Sequence, residues 1–253
     1  MSMNTLMSMA MGTTGMGMGM IETALYQLLS WLSPSYPVGA FSHSGGLEWA
    51  VEAADVISRA GLEAWLEDLL NHGAGWNDAV LFTHAYDATR RGDMSALLDL
   101  AELAAAAQPS RERRIETMAQ GAAFRRIVRA VEDAPSLHML DEVADGDLGY
   151  PVVVAVTAAG AAIPLTLALT AYLHGFVANI VSAAQRLVPL GQTDGQLAMA
   201  HLRSLVTETV TQAAALLDTI SDRDPFGQMG SATFRADMAS MQHETQYTRL
   251  FRT

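Results

Sequence analysis

The chain has 253 residues, half of them apolar, with a formal net charge of −12 and a pI near 4.9. It can bury one large core or two small ones, and its acidity leaves no basic footprint for nucleic acid. It has no cysteine and no lysine, all fifteen cationic side chains being arginine; this excludes disulfides, a cysteine nucleophile, Schiff-base chemistry and the phosphate-binding lysine of a P-loop.

Residues 1–20 hold eight of the fifteen methionines among glycine, serine and threonine. Soft thioethers would suit Cu(I), but the composition predicts a disordered Met-rich extension. The first arginine is Arg59, so no cationic region marks a secretory signal. From Ile21, apolar residues at Leu25, Leu28, Leu29 and Leu32 repeat at helix spacing. Pro34 ends that helix.

The stretch from Ser30 to Glu48 is unusual. Pro34 and Pro37 fix φ and remove two donors, while Ser33 and Tyr36, each preceding a proline, are pushed towards extended geometry. Gly39, Gly45 and Gly46 permit positive φ. Yet Trp31, Leu32, Tyr36 and Phe41 sit among these breakers, which predicts an ordered, docked segment rather than a linker.

Helical patterns follow over Ser58–His72, Asn77–Arg90 and Ala96–Ala107. Pro109-Ser110 then opens a long helix to about Val131, whose arginines at 111, 113, 114, 125, 126 and 129 make the one markedly cationic surface. Residues 134–149 read as a polar, acidic connector. The apolar block Tyr150–Ala184 has the length of a membrane span, but Pro151, Gly160, Pro164 and Gly175 cut it, and its small residues are punctuated by Asn179 and Ser182. It reads as two buried helices at the centre of a bundle. Val152–Val156 is β-branched but has no partner run. Pro189 to Gln196 is the next breaker, followed by a helix to about Ile220, a loop over 222–230, and a tail from His243 to Thr253. The fold expected is all-α, a single-domain bundle of about eight to ten helices over residues 21–253.

No catalytic constellation stands out. His243-Glu244 lacks the second histidine of HExxH, and no nucleophile elbow or phosphate loop is present. His72 with Asp68, and His84 with Asp87 or Asp78, read as surface contacts. Ser42-His43-Ser44 puts a hydroxyl beside an imidazole, but chain neighbours seldom point together and no orienting acid is evident. An acidic helical hydrolase using His43 or His84 is the alternative reading. In the tail, Tyr247, Arg249, Leu250 and Phe251 have the composition of an interface anchor, unless they pack on their own domain.

Three motifs in order carry a resemblance. Leu32-Ser33-Pro34-Ser35-Tyr36-Pro37-Val38-Gly39-Ala40-Phe41-Ser42-His43-Ser44, running on to Gly46-Leu47-Glu48, resembles the N-terminal signature of the urease accessory protein UreF family. Pro189-Leu190-Gly191-Gln192-Thr193-Asp194-Gly195-Gln196 resembles its second motif, and His243-Glu244 followed by Arg249-Leu250-Phe251-Arg252-Thr253 resembles its ending. Tyr172-Leu173-His174 is similar to the family's central region. The resemblance implies a cytoplasmic, all-α homodimer, without catalytic activity, cofactor or metal of its own. With UreD (also called UreH) it would recruit the GTPase UreG to urease apoprotein for nickel insertion, with no nucleic-acid or membrane partner. By that resemblance Pro34, Tyr36, Pro37, Gly39, Phe41, Ser42, His43 and Glu48 shape a partner face. Gly191, Gln192, Gly195 and Gln196 form a turn near the interfaces, and His243, Glu244, Arg249, Leu250 and Phe251 serve the tail that docks on UreD.

Overall fold

A computed structural model describes residues 19–132, 134–143, 148–218, 224–230 and 232–253. The Met-rich extension lies outside them except for Gly19 and Met20, which begin the first helix. The described residues hold no strand. The helices are α1 (19–31), α2 (Leu47–Glu52), α3 (Arg59–His72), α4 (Ala74–Arg91), α5 (Met94–Ala106) and α6 (Arg111–Val131). They continue with α7 (Ser136–Val143), α8 (Tyr150–Gly160), α9 (Leu165–Leu187), α10 (Gln192–His201), α11 (Arg203–Ala215), α12 (Pro225–Gln228) and α13 (Phe234–His243).

Local chemistry sets these boundaries. The side chains of Ser58, Asp93 and Ser110 accept from the backbone N–H groups of Gly61, Ala96 and Arg113, capping α3, α5 and α6. Gly92, at φ 69°, closes α4 in the left-handed conformation. Pro151 sits in the first turn of α8, where its missing N–H costs nothing.

The centre is α8, buried at every position from Pro151 to Ala159 and packed against α4, α6 and α7. The β-branched run Val152–Val156 is therefore helical: a helix satisfies its own backbone hydrogen bonds, while a lone strand in a helical core could not. The acidic connector after α6 is also helical over α7. Leu137 and Leu140, three apart, point inward and are fully buried, while Asp141 stays outside to pair with Arg125 and Arg129. Helix α9 is the one described helix long and apolar enough to cross a membrane, with mean hydropathy 1.5; half of its most apolar window is buried against the rest of the bundle. One hydrophobic cluster runs from Ala24 to Phe251.

Candidate functional site

The signature segment after α1 folds as consecutive tight turns. Tyr36 N donates to Ser33 O at 2.9 Å and Val38 N to Tyr36 O at 2.8 Å. Gly39, at φ 81°, starts a 3-10 turn over Ala40–Ser42. Gly46, at φ 88°, starts α2, and a Cβ there would lie 2.7 Å from the backbone nitrogen of Ser240, so α2 and α13 meet at closest approach at this residue. The aromatics among the breakers explain the order. Trp31 and Tyr36 pack on Phe124 of α6 at ring separations of 6.2 and 5.5 Å, and Phe124 continues to Tyr150 and Tyr172. Trp31 also donates to Glu132 at 2.7 Å.

The signature and the tail, about two hundred residues apart in sequence, form one buried polar network. Its hub is His243, which has no exposed surface. Its Nδ1 lies 2.6 Å from Glu112 Oε2 and its Nε2 3.0 Å from Glu48 Oε2. Glu48 also accepts from the backbone N–H groups of Leu250 at 2.6 Å and Phe251 at 3.0 Å. Burial alone would raise the Glu48 carboxyl, but the bonds from Leu250, His243 and Phe251 outweigh it and hold the group below its ordinary value. Arg249 donates to Glu112 at 2.8 Å and Gln246 to Glu52 at 2.6 Å. Glu244 accepts from the backbone N–H of Arg111 at the start of α6.

The last three residues are tied down separately. Arg252 N donates to Ser42 O and Ser44 N to Thr253 O, pairing the tail with the signature backbone. The Thr253 hydroxyl donates to Glu116 at 3.1 Å and lies 2.7 Å from His43 Nδ1. With its one proton given to Glu116, Thr253 accepts from His43, which assigns the Nδ1–H tautomer. Burial, foremost, lowers the His43 imidazole, although the Glu116 carboxylate pulls the other way. Phe251 is buried beneath the guanidinium of Arg186, 4.2 Å above its ring, and the same guanidinium donates to Phe41 O.

Behind this network is a cavity of about 210 Å³ lined by Tyr36, Asp78, Arg113, Glu116, Tyr150 and Tyr172, among others. Asp78, enclosed by protein but facing this space, accepts from the Tyr172 hydroxyl at 2.7 Å. Desolvation raises its carboxyl to about 6 despite that bond. Burial and then the Glu132 carboxylate push the Tyr36 phenol to about 12, and its hydroxyl has no hydrogen-bond partner among the described residues.

The sequence-predicted residues thus divide in two groups. The structure brings His43, Glu48, His243, Glu244, Arg249, Leu250 and Phe251 together, with Pro34, Tyr36, Pro37, Gly39, Phe41 and Ser42 shaping the adjoining turns. Phe251 is buried in its own chain, whereas Leu250 and Tyr247 face outward, Tyr247 being fully exposed. The second motif does not join them and is not a turn. Gly191 precedes α10, and Gln192, Gly195 and Gln196 lie inside the helix, because Asp194 accepts from the Gly191 N–H and caps the first turn. Its contacts are with Gln185 of α9 and, through Asp194, with Arg59 of α3 at 3.9 Å. Ser42 and His43 do not pair: the Ser42 hydroxyl donates to Gly39 O. His84 meets Gln228, not Asp78 or Asp87. Sequence reading missed Glu112, Glu116, Arg113 and Arg186. Their one signal was charge on helices with a buried face, which does not reveal a partner 130 residues away. Among the described residues, no three or more His, Asp or Glu side chains are grouped to hold a metal ion.

The sequence profile of the UreF family matches residues 56–203. A protein of Bradyrhizobium diazoefficiens named urease accessory protein UreF is 50% identical over 230 residues, covering 91% of this chain and 92% of its own length. A Rhodopseudomonas palustris HaA2 protein of the same name is also 50% identical over 230 residues, covering 91% of this chain and 94% of its own.

Proposed function

Because this chain belongs to the UreF family of urease accessory proteins, we propose that it is a non-enzymatic scaffold which, with UreD (UreH), recruits the GTPase UreG to urease apoprotein. Nickel, inserted there into the metallocentre, is cargo of the assembly. The scaffold acts in the cytoplasm as a homodimer. The observation that carries this reading is the pinned tail. Buried carboxylates and histidines hold residues 243–253 against the signature segment, and the side chains left outside include Tyr247 and Leu250 beside Arg249 and Arg252.

Tyr247 and Leu250 project from the tail, and Phe41 from the signature turn. On α13, which leads into the tail, Phe234, Met238 and Met241 are exposed at positions i, i+4 and i+7. Such residues are favoured in interface cores, and methionine adapts to a partner's contour. In this reading Leu250 and Tyr247 contact UreD, Arg249 offers its exposed edge, and Phe251 positions the tail from inside. His43, Glu48 and His243 hold the shape of the face. Gln192 and Gln196, exposed beside Gly191 and the buried Gly195, form a second edge on α10.

The test is co-purification with UreD and UreG, followed by nickel-dependent urease activation with and without this protein. The double variant Tyr247→Ala, Leu250→Asp should lose UreD while keeping the wild-type melting temperature. Undiminished UreD binding by that variant would remove the tail from the interface. Turnover of GTP by the purified chain alone would overturn the scaffold reading.

A further inference from the structure

Helix α6 contains six arginines and two glutamates. Both glutamates point inward and are spent: Glu112 on His243 and Arg249, Glu116 on Arg113 and Thr253. Arg113 also turns inward. The outer face is therefore purely cationic, on a chain whose net charge is −12. Arg125 and Arg129 share Asp141. Arg111, Arg114 and Arg126 are exposed, and among the described residues none of their guanidinium groups is in an ion pair, although the Glu244 carboxylate accepts from the Arg111 backbone N–H.

Geometry puts these three on one side of the helix. At 100° per residue they fall within about 120° of arc, and at 1.5 Å rise they span about 22 Å. Between them the surface is low and apolar: Ile115 is 49% exposed, Ala122 is also exposed, and the exposed Ala119 borders the arc. Arginine is among the residues enriched at interfaces relative to the rest of the surface. Guanidinium groups pair bidentately with carboxylates and are less tightly hydrated than ammonium groups, which suits them to protein contacts.

We propose that the outer face of α6 is a second docking surface, separate from the tail, and that its occupant is a carboxylate-rich face of a partner protein. Charge complementarity selects this occupant: three unneutralised guanidinium groups in a row need acidic groups about as far apart. The proposal rests on the scaffold reading for the identity of candidate partners, but not for the existence of the face.

The test uses full-length protein and the triple variant Arg111→Glu, Arg114→Glu, Arg126→Glu, with Arg→Ala at the same sites as the milder form. All three positions are solvent-facing, so both variants should keep the wild-type helical signal and melting temperature. Affinity for UreD, UreG and urease apoprotein is measured from 50 to 500 mM salt. For at least one of these the charge reversal should raise Kd tenfold or more at low salt and flatten the salt dependence, with the alanine variant intermediate. The tail variant Tyr247→Ala, Leu250→Asp should keep that same salt dependence. Affinities and salt slopes within twofold of wild type for all three partners would overturn the proposal. So would loss of self-association by the triple variant in sedimentation equilibrium, which would make the face a contact between copies of this chain, or binding of duplex DNA or RNA by the wild type. If the wild type binds none of the three partners, it is the scaffold reading that fails, a result distinct from loss of binding confined to the variants.

Discussion

Replacing Glu48 by alanine should release the tail. The carboxylate accepts from Leu250 N at 2.6 Å, Phe251 N at 3.0 Å and His243 Nε2 at 3.0 Å, in a pocket where Glu48 is 7% exposed. Removing one member of a buried ionic network costs about 3–5 kcal/mol, because its partners keep their desolvation without compensation. Against a total stability of about 5–15 kcal/mol this is large. For a chain of this size it corresponds to a fall in melting temperature of roughly 10 °C. Glu48→Gln, which keeps one acceptor oxygen, should lose less than alanine does. The effect also has a pH signature. The Glu48 carboxyl sits below its ordinary value in the fold, so its stabilisation is present above about pH 4.5 and is lost as pH falls through the folded value. Wild type and Glu48→Ala should therefore converge in strong acid. Thermal circular dichroism gives the stability, and hydrogen exchange at the Leu250 and Phe251 amides reads the tail directly. A variant melting within about 2 °C of wild type, with those amides still protected, would refute the reasoning.

Asp78→Asn should act with the opposite pH sign. The folded carboxyl is raised from 3.8 to about 6, so its protonated form favours the fold below about pH 4, and that advantage is lost as pH rises through 6. Denaturant titrations at pH 4 and pH 7 should show the variant gaining on wild type by on the order of 1–2 kcal/mol, discounted for water in the adjoining cavity; parallel curves would place the ionised group in a solvated setting. Gly46→Ala combines a left-handed φ with overlap on the backbone of Ser240, and should cost more than about 3 kcal/mol. Gly39→Ala, at φ 81° with open space around it, should cost only the conformational part, about 1–2 kcal/mol. Equal melting temperatures for the two variants would show that α2 and α13 can separate freely.

The helices from α3 to α6 were legible because their signals are local, whereas α12 lies in a stretch read as loop and α2 and α13 were not marked. Ser58, Asp93, Ser110 and Gly92 mark ends within a residue or two of where they fall, and leucines three and four apart mark buried faces. The connector over 134–149 was misread because its acidic residues outnumber Leu137 and Leu140, although two well-placed leucines suffice to dock two turns. The second motif looked like a turn from its two glycines, but Asp194 at the third helical position makes it a helix start. Of the site, the signature and the tail were both visible as unusual segments. Their union was not, since it depends on Glu112 and Glu116, whose inward aim is set by the register of α6 against α8 and α13. Nor could composition tell that Phe251 turns in while Tyr247 turns out.

The hub histidine also orders events in time. His243 bonds to partners 131 and 195 residues earlier, and Leu250 N to one 202 residues earlier. The tail is synthesised after every element it binds, and closing such long loops is slow. The exposed face of the tail is therefore the last of these elements to form, and it forms only if α2, α6 and α13 have already met in register. A chain halted before His243, or one with α2 misplaced, cannot pin the tail. The geometry of Glu48, Glu112 and His243 thus makes the pinned tail a mark of completed folding.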